Sequence, residues 1–178
     1  MEPSCPFTFR SPSLGDLWSH WRGLLKPGRL PRRDEIDPGA LRRVLPQVWI
    51  YRLDATGRDF YCALAGEEIL AAWQPRTGMI GRPIRELFPP DVHETLRERW
   101  LGLLDRPAVM HGSSLYNPTL RDSTITRYAE RLSLPVDGAE GRRYGLIGVT
   151  SYLIEPFAKV DVHPASLLPP KIVPVDEL

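Results

Sequence analysis

The sequence predicts an α+β domain: a five-stranded antiparallel sheet with helices on one face, plus an N-terminal amphipathic helix. Three observations predict it. Runs rich in β-forming residues fall at 47–53, 59–65, 108–116, 124–136 and 143–154. One strongly periodic helix, 91–105, separates the second run from the third. The last three runs are joined by short turns, which makes them antiparallel neighbours, so the long helix must carry the chain across one face of a single sheet.

Composition fits this class. The chain has 178 residues, 42% hydrophobic and 25% charged, as expected of a globular domain. Its net charge of +1 argues against a dedicated nucleic-acid binder. No apolar run approaches the roughly 18 residues needed to cross a membrane, and Met1 to Arg10 lacks the charged start and apolar stretch of a signal peptide. The expected location is therefore the cytoplasm. The two cysteines, Cys5 and Cys62, make no disulfide framework, and their spacing to the four histidines suits no metal.

Residues 1–12, with three prolines and no periodicity, read as a loose arm. Residues 13–46 read as a helical extension. Ser13 with Asp16 resembles a capping box, and Leu14, Leu17, Trp18, Trp21, Leu24 and Leu25 repeat at helical spacing until Lys26-Pro27-Gly28 stops the helix. This stripe either covers the chain's own sheet or joins two copies in a homodimer. A width of six large apolar residues makes all six dimer-interface candidates. Asp37 as N-cap and Pro38 at the first helical position predict a short helix to Leu45. The segment Arg22 to Arg43 holds seven positive and three negative residues, a solvated face or a site for an acidic partner.

Residues 47–155 form the expected core. Val48 to Leu53 and Phe60 to Ala65 make a hairpin around Gly57, and Glu67 to Gln74 a short helix presenting Ile69, Leu70 and Trp73. Ile84 to Phe88 forms one helical turn. Asp91 with Glu94 opens the long helix, whose stripe is Val92, Leu96, Trp100, Leu103 and Leu104, and Arg106-Pro107 ends it. Turns at Asn117-Pro118 and Asp137-Gly138 separate the last three strands. Residues 156–178 read as a proline-rich extended tail.

The order and several motifs resemble the PAS domain, a sensor and interaction fold, over about Gln47 to Glu155. A bacterial PAS subfamily with an N-terminal helix is similar in Trp18 and Trp21, in Leu30-Pro31-Arg32-Arg33-Asp34-Glu35-Ile36-Asp37-Pro38, and in Leu45-Pro46. It is also similar in Leu64-Ala65-Gly66, Gly81-Arg82-Pro83-Ile84 and Leu132-Ser133-Leu134-Pro135. The chain departs from that pattern at Cys62, Ala63 and Glu67, where such proteins often carry arginine and threonine. The resemblance implies a non-catalytic sensory or regulatory module of bacterial signalling that binds a small ligand, a partner signalling protein, or both, and that pairs with itself.

No cofactor is expected. Cys62 lies on a strand outside the Asn-Cys-Arg motif of flavin photosensors, and His93, in the first turn of the long helix, is poorly placed as a haem ligand. A colourless protein is the expectation. Trp73, Leu96, Trp100 and Tyr128 are the candidates to line a pocket between sheet and helices. Arg131 is one strand step out of phase with Tyr128. His111 reads as a half-exposed strand histidine, and Glu67 and Glu68 as charges at a helix start. Ser113 and Ser114 lack the elbow and partners of a nucleophile. A small α+β cavity enzyme using His93, His111 and Glu67 is the second reading, and a nucleic-acid binder using Arg22 to Arg43 the third.

Overall fold

The computed structural model describes residues 5–73, 78–116, 127–153 and 169–178. The helices are α1 (Pro12–Leu24), α2 (Glu67–Trp73), α3 (Ile84–Leu87) and α4 (Pro90–Asp105). The strands are β1 (Val48–Leu53), β2 (Phe60–Ala65), β3 (Ala108–Tyr116), β4 (Arg127–Asp137), β5 (Arg143–Leu153) and β6 (Lys171–Pro174). They form one sheet in the order β2-β1-β5-β4-β3-β6, antiparallel at every pairing. The expected α+β class and the five expected strands are present.

A sixth strand is added at one edge. Lys171–Pro174 pairs with Ala108–His111, so part of the expected tail belongs to the sheet. Four residues that follow Pro170 and end on Pro174 carry too few alternations to show a period of two, and only the partner strand makes them a strand. The short helix expected after Asp37 is instead a succession of turns. Asp37 Oδ1 accepts the Gly39 N–H at 2.8 Å, which satisfies the backbone locally, and the chain enters a single 3₁₀ turn at Leu45–Gln47. The helix α4 begins at Pro90, one residue before the expected Asp91 cap, with Pro89 as its N-cap and no side-chain cap.

The alternation of β-strands sends side chains to two faces, and both are covered. On one face α4, α2 and α3 lie over Trp49, Tyr51, Phe60, Cys62, Met110 and Leu146. On the other, α1 lies over Val48, Ile50, Val109, Leu132, Leu134, Val136, Ile147 and Val149. Of the two readings of the α1 stripe, the structure takes the first. Leu14, Leu17, Trp18 and Trp21 are buried in the chain's own core, and Leu24 and Leu25 are half-buried against it. Leu14, Leu17, Trp18 and Trp21 are therefore core residues and not the expected dimer interface: an aliphatic sheet face needs a cover, and this helix supplies it from the same chain.

The described part of the expected loose arm, from Cys5 on, is also fastened. Phe7 is buried, and Glu130 on β4 accepts the Arg10 and Ser11 N–H groups at 3.0 and 2.9 Å. Neither Ser11 nor the expected Ser13 box caps α1 through a side chain, so the acceptor comes from more than a hundred residues away.

Two motif segments that are far apart in sequence meet at Gly66. Its N–H donates to Val48 O at 2.8 Å, and its Cα faces the backbone of Leu45 and Pro46 so closely that a Cβ would lie 2.2 Å from Leu45 O. Leu45-Pro46 and Leu64-Ala65-Gly66 are thus the two sides of one backbone contact.

Candidate functional site

The face beneath α4 is built from aromatic rings. β1 alternates Trp49 and Tyr51 toward this side, β2 contributes Phe60, and α4 lowers Trp100 onto all three. Trp49 and Trp100 stack with centroids 5.6 Å apart, Tyr51 lies 4.8 Å from Trp100, and Phe60 meets it edge-on at 5.4 Å. Offset and edge-to-face pairs of this kind favour one arrangement over many. Gly148 on β5 makes room for the Trp49 ring, since a Cβ there would lie 2.1 Å from it.

The polar atoms on this face divide into two groups. Trp49 Nε1 donates to Thr150 Oγ1 at 2.9 Å. Tyr51 is hydrogen-bonded to Cys62, and its phenol is held well above its ordinary range by burial and by the neighbouring sulfur. Burial pushes the Cys62 thiol up to about 11, and the group donates to Leu64 O at 3.6 Å, so Cys62 rests as a neutral thiol.

Trp100 Nε1 and His93 Nε2 form the second group. Both are buried, and neither has a hydrogen-bond partner among the described residues. Trp100 is only 4% exposed. The two residues are seven apart on α4, close to two full turns, and therefore share one side of the helix. A buried N–H without an acceptor costs about 1–3 kcal/mol, so two unpaired nitrogens on one helix face stand out. His93 Nε2 lies 3.6 Å from Asp59 Oδ1, beyond hydrogen-bonding distance. Asp59, itself buried, is already occupied by the Phe60 N–H at 2.8 Å and Arg85 Nη1 at 2.7 Å.

Of the pocket candidates, the structure brings Trp100 and half-buried Leu96 to this face. The side chains of Trp73 and Tyr128 lie outside the described ones. Sequence reasoning missed Trp49, Tyr51 and Phe60, although the alternation of β1 places Trp49 and Tyr51 on a common side.

The residues of the enzyme reading do not converge. His93 stands beside Asp59, His111 pairs with Glu130 at 2.9 Å on the opposite face of the sheet, and Glu67 is exposed at the start of α2. General acid–base work needs such groups within reach of one substrate. Among the described residues no group of three His, Cys, Asp or Glu could hold a metal ion. No helix of the described residues is long and apolar enough to cross a membrane.

Two arginines of the basic segment are answered by carboxylates within it, while Arg42 and Arg43 are exposed. Arg29 forms a two-pronged pair with Glu35 at 2.9 and 2.8 Å, and Arg32 does the same with Asp34. Glu35 also accepts the Arg32 N–H at 2.8 Å, so Leu-Pro-Arg-Arg-Asp-Glu folds as a self-capped 3₁₀ turn. Arg29, with the Arg32 amide, holds the Glu35 carboxyl down to about 2. A carboxylate whose pKa is depressed on folding stabilises the fold above its unfolded value and loses that contribution as pH falls toward 2. Glu35→Gln should therefore lower the melting temperature at pH 6, with the difference fading between about pH 4.5 and 2. Thermal melts of both proteins across that range check this, and a constant difference down to pH 2 would contradict it.

An open cleft of about 1620 Å³ lies at the end of α4, lined in part by Arg22, Arg29, Arg99, Asp105, Asp137 and Arg143. Its arginines Arg22, Arg29 and Arg143 are taken up by Leu178 O, Glu35 and Asp105.

Residues 9–150 match the model of a family described as PAS domain. A crystal structure of the PAS domain of a protein from Colwellia psychrerythraea is similar, with 12% sequence identity and a TM-score of 0.45, over 64% of this chain and 93% of that one. A search of curated proteins found no match.

Proposed function

The chain belongs to the PAS domain family, whose members are in general sensory and regulatory modules, and from that premise we propose that it is a non-catalytic sensor whose small ligand binds against the inner side of α4. The observation that carries this reading is the buried, unpaired Trp100 Nε1 beside the rings of Trp49, Tyr51 and Phe60. Flat rings offer dispersion area to an apolar or aromatic body, while an indole N–H selects an acceptor oxygen or nitrogen at one position. His93 Nε2, two turns away on the same helix, offers a second polar contact. The chemistry that fits is a flat, mostly apolar molecule with one or two hydrogen-bond acceptors. Occupancy changes the packing of α4 on the sheet, and that change is what a partner in bacterial signalling reads.

Absence of catalysis is supported by the neutral Cys62 thiol and by the separation of His93, His111 and Glu67. Native mass spectrometry of the purified chain tests the reading. A small molecule carried by the parent and lost in Trp100→Phe is the expected result, because phenylalanine keeps an aromatic ring at this position and removes the donor. A parent that flies at its bare sequence mass, as the variant does at its own, would contradict it.

A further inference from the structure

The face covered by α1 holds one ionisable pair that the sensor reading does not use. Glu130, near the start of β4, is 1% exposed on that face. Its Oε1 accepts the Arg10 N–H and meets His111 Nε2 at 2.9 Å, and its Oε2 accepts the Ser11 N–H. A buried carboxylate is tolerated only when such donors replace its water. Around it, His111 sits against Phe7 and Phe9, with ring centroids 5.5 and 5.2 Å away. Lys171 of β6 pairs with His111 in register, donates to Pro6 O at 2.6 Å and lies 5.8 Å from the Phe7 ring. Glu130 faces the uncharged Ser113 and Ser151 on the neighbouring strands, residues 5–11 (the strap) bring Arg10 beside it, and Asp16 lies on α1.

We propose that Glu130 and His111 form a proton-operated latch that holds residues 5–11 and the first turn of α1 on the sheet. The ionised Glu130 carboxylate is the one side chain that accepts both backbone N–H groups at the entrance to α1. A proton on Glu130 turns an acceptor-only group into one that must also donate, and the two amides lose their shared anchor. His111 supplies the nearest ionisable counterpart. In its charged form it attracts the carboxylate it touches and strengthens the hold on the strap. Release of the strap uncovers Phe7, Phe9 and the N-terminal end of the apolar sheet face, while the ring cluster beneath α4 stays covered.

Trypsin tests the latch, because the Arg10–Ser11 bond contains the N–H held by Glu130. Glu130→Gln mimics the protonated carboxyl, and cleavage after Arg10 should accelerate about tenfold or more. Cleavage after Arg142, in an exposed turn, should not change. Equal rates after Arg10 in parent and variant would overturn the proposal. So would acceleration at both bonds, since Glu130 would then hold up the whole domain rather than the strap. A second measurement uses the parent and His111→Gln, which keeps a donor but no charge. Hydrogen exchange at the Ser11 amide, relative to its intrinsic rate, should show opening on acidification in both proteins, and at higher pH in the variant. Opening at the same pH in both, or in neither, would overturn it.

Discussion

Trp21→Ala should destabilise the domain by about 3–5 kcal/mol, a large share of the roughly 5–15 kcal/mol that holds a domain of this kind together. Trp21 is fully buried, it stacks on Trp18 with centroids 5.9 Å apart, and its Nε1 donates to Pro135 O at 2.9 Å. Truncation leaves a cavity between α1 and the sheet and strips the Pro135 carbonyl of its donor, and both penalties act together. Trp21→Phe separates them, retaining most of the volume and losing the hydrogen bond for about 1–3 kcal/mol. The charged pair Trp18→Glu with Trp21→Glu should unfold the chain, because both residues belong to its own core. Urea unfolding followed by circular dichroism checks all three. A folded double variant of halved molecular mass would show instead that the stripe joins two copies.

Gly66→Ala should cost more than 3 kcal/mol, or prevent folding, for a reason unrelated to cavities. The added Cβ would lie 2.2 Å from Leu45 O and 2.3 Å from Pro46 O, backbone atoms that no rotamer change can move away. Relief requires either the Leu45–Gln47 turn or the end of β2 to shift, and the hydrogen bond from Gly66 N to Val48 O ties the two together. Gly57→Ala is the control. It has no atom within 4 Å of its Cβ position, and its φ of +69° makes the strain of a left-handed residue its only penalty, about 1 kcal/mol. Equal midpoints for Gly66→Ala and the parent in the same unfolding experiment would contradict the close contact.

These two residues also mark where sequence reading succeeded and where it stopped. The periodicity of Leu14, Leu17, Trp18 and Trp21 made α1 legible, and the β-rich runs revealed five strands, because both signals are local. What α1 covers was not legible from the stripe itself, since burial against a sheet and burial against a second copy ask for the same side chains. Glu130 carried no local sign that it anchors the entrance to α1, for its partners are more than a hundred residues away. Lys171–Pro174 became a strand only through β3. At the site, Leu96 and Trp100 stood out on a helical stripe, whereas the unpaired state of Trp100 Nε1 is a property of what surrounds it and needs three dimensions. The basic run from Arg22 to Arg43 read as a solvated face or a site for an acidic partner, and only the folded turn shows Glu35 and Asp34 answering Arg29 and Arg32.

The sensor reading stands on one N–H group, and that group has its own resonance. In ¹⁵N-labelled protein, the five indole N–H signals can be followed as purified and again after unfolding, removal of small molecules and refolding. Trp21 donates inside the opposite face of the sheet, to Pro135 O, and its signal should coincide in the two preparations. The Trp100 signal should move upfield after removal of small molecules, as an N–H that has lost its acceptor, and return when the extracted material is added back. An unmoved Trp100 signal in a correctly refolded chain would contradict a ligand at α4.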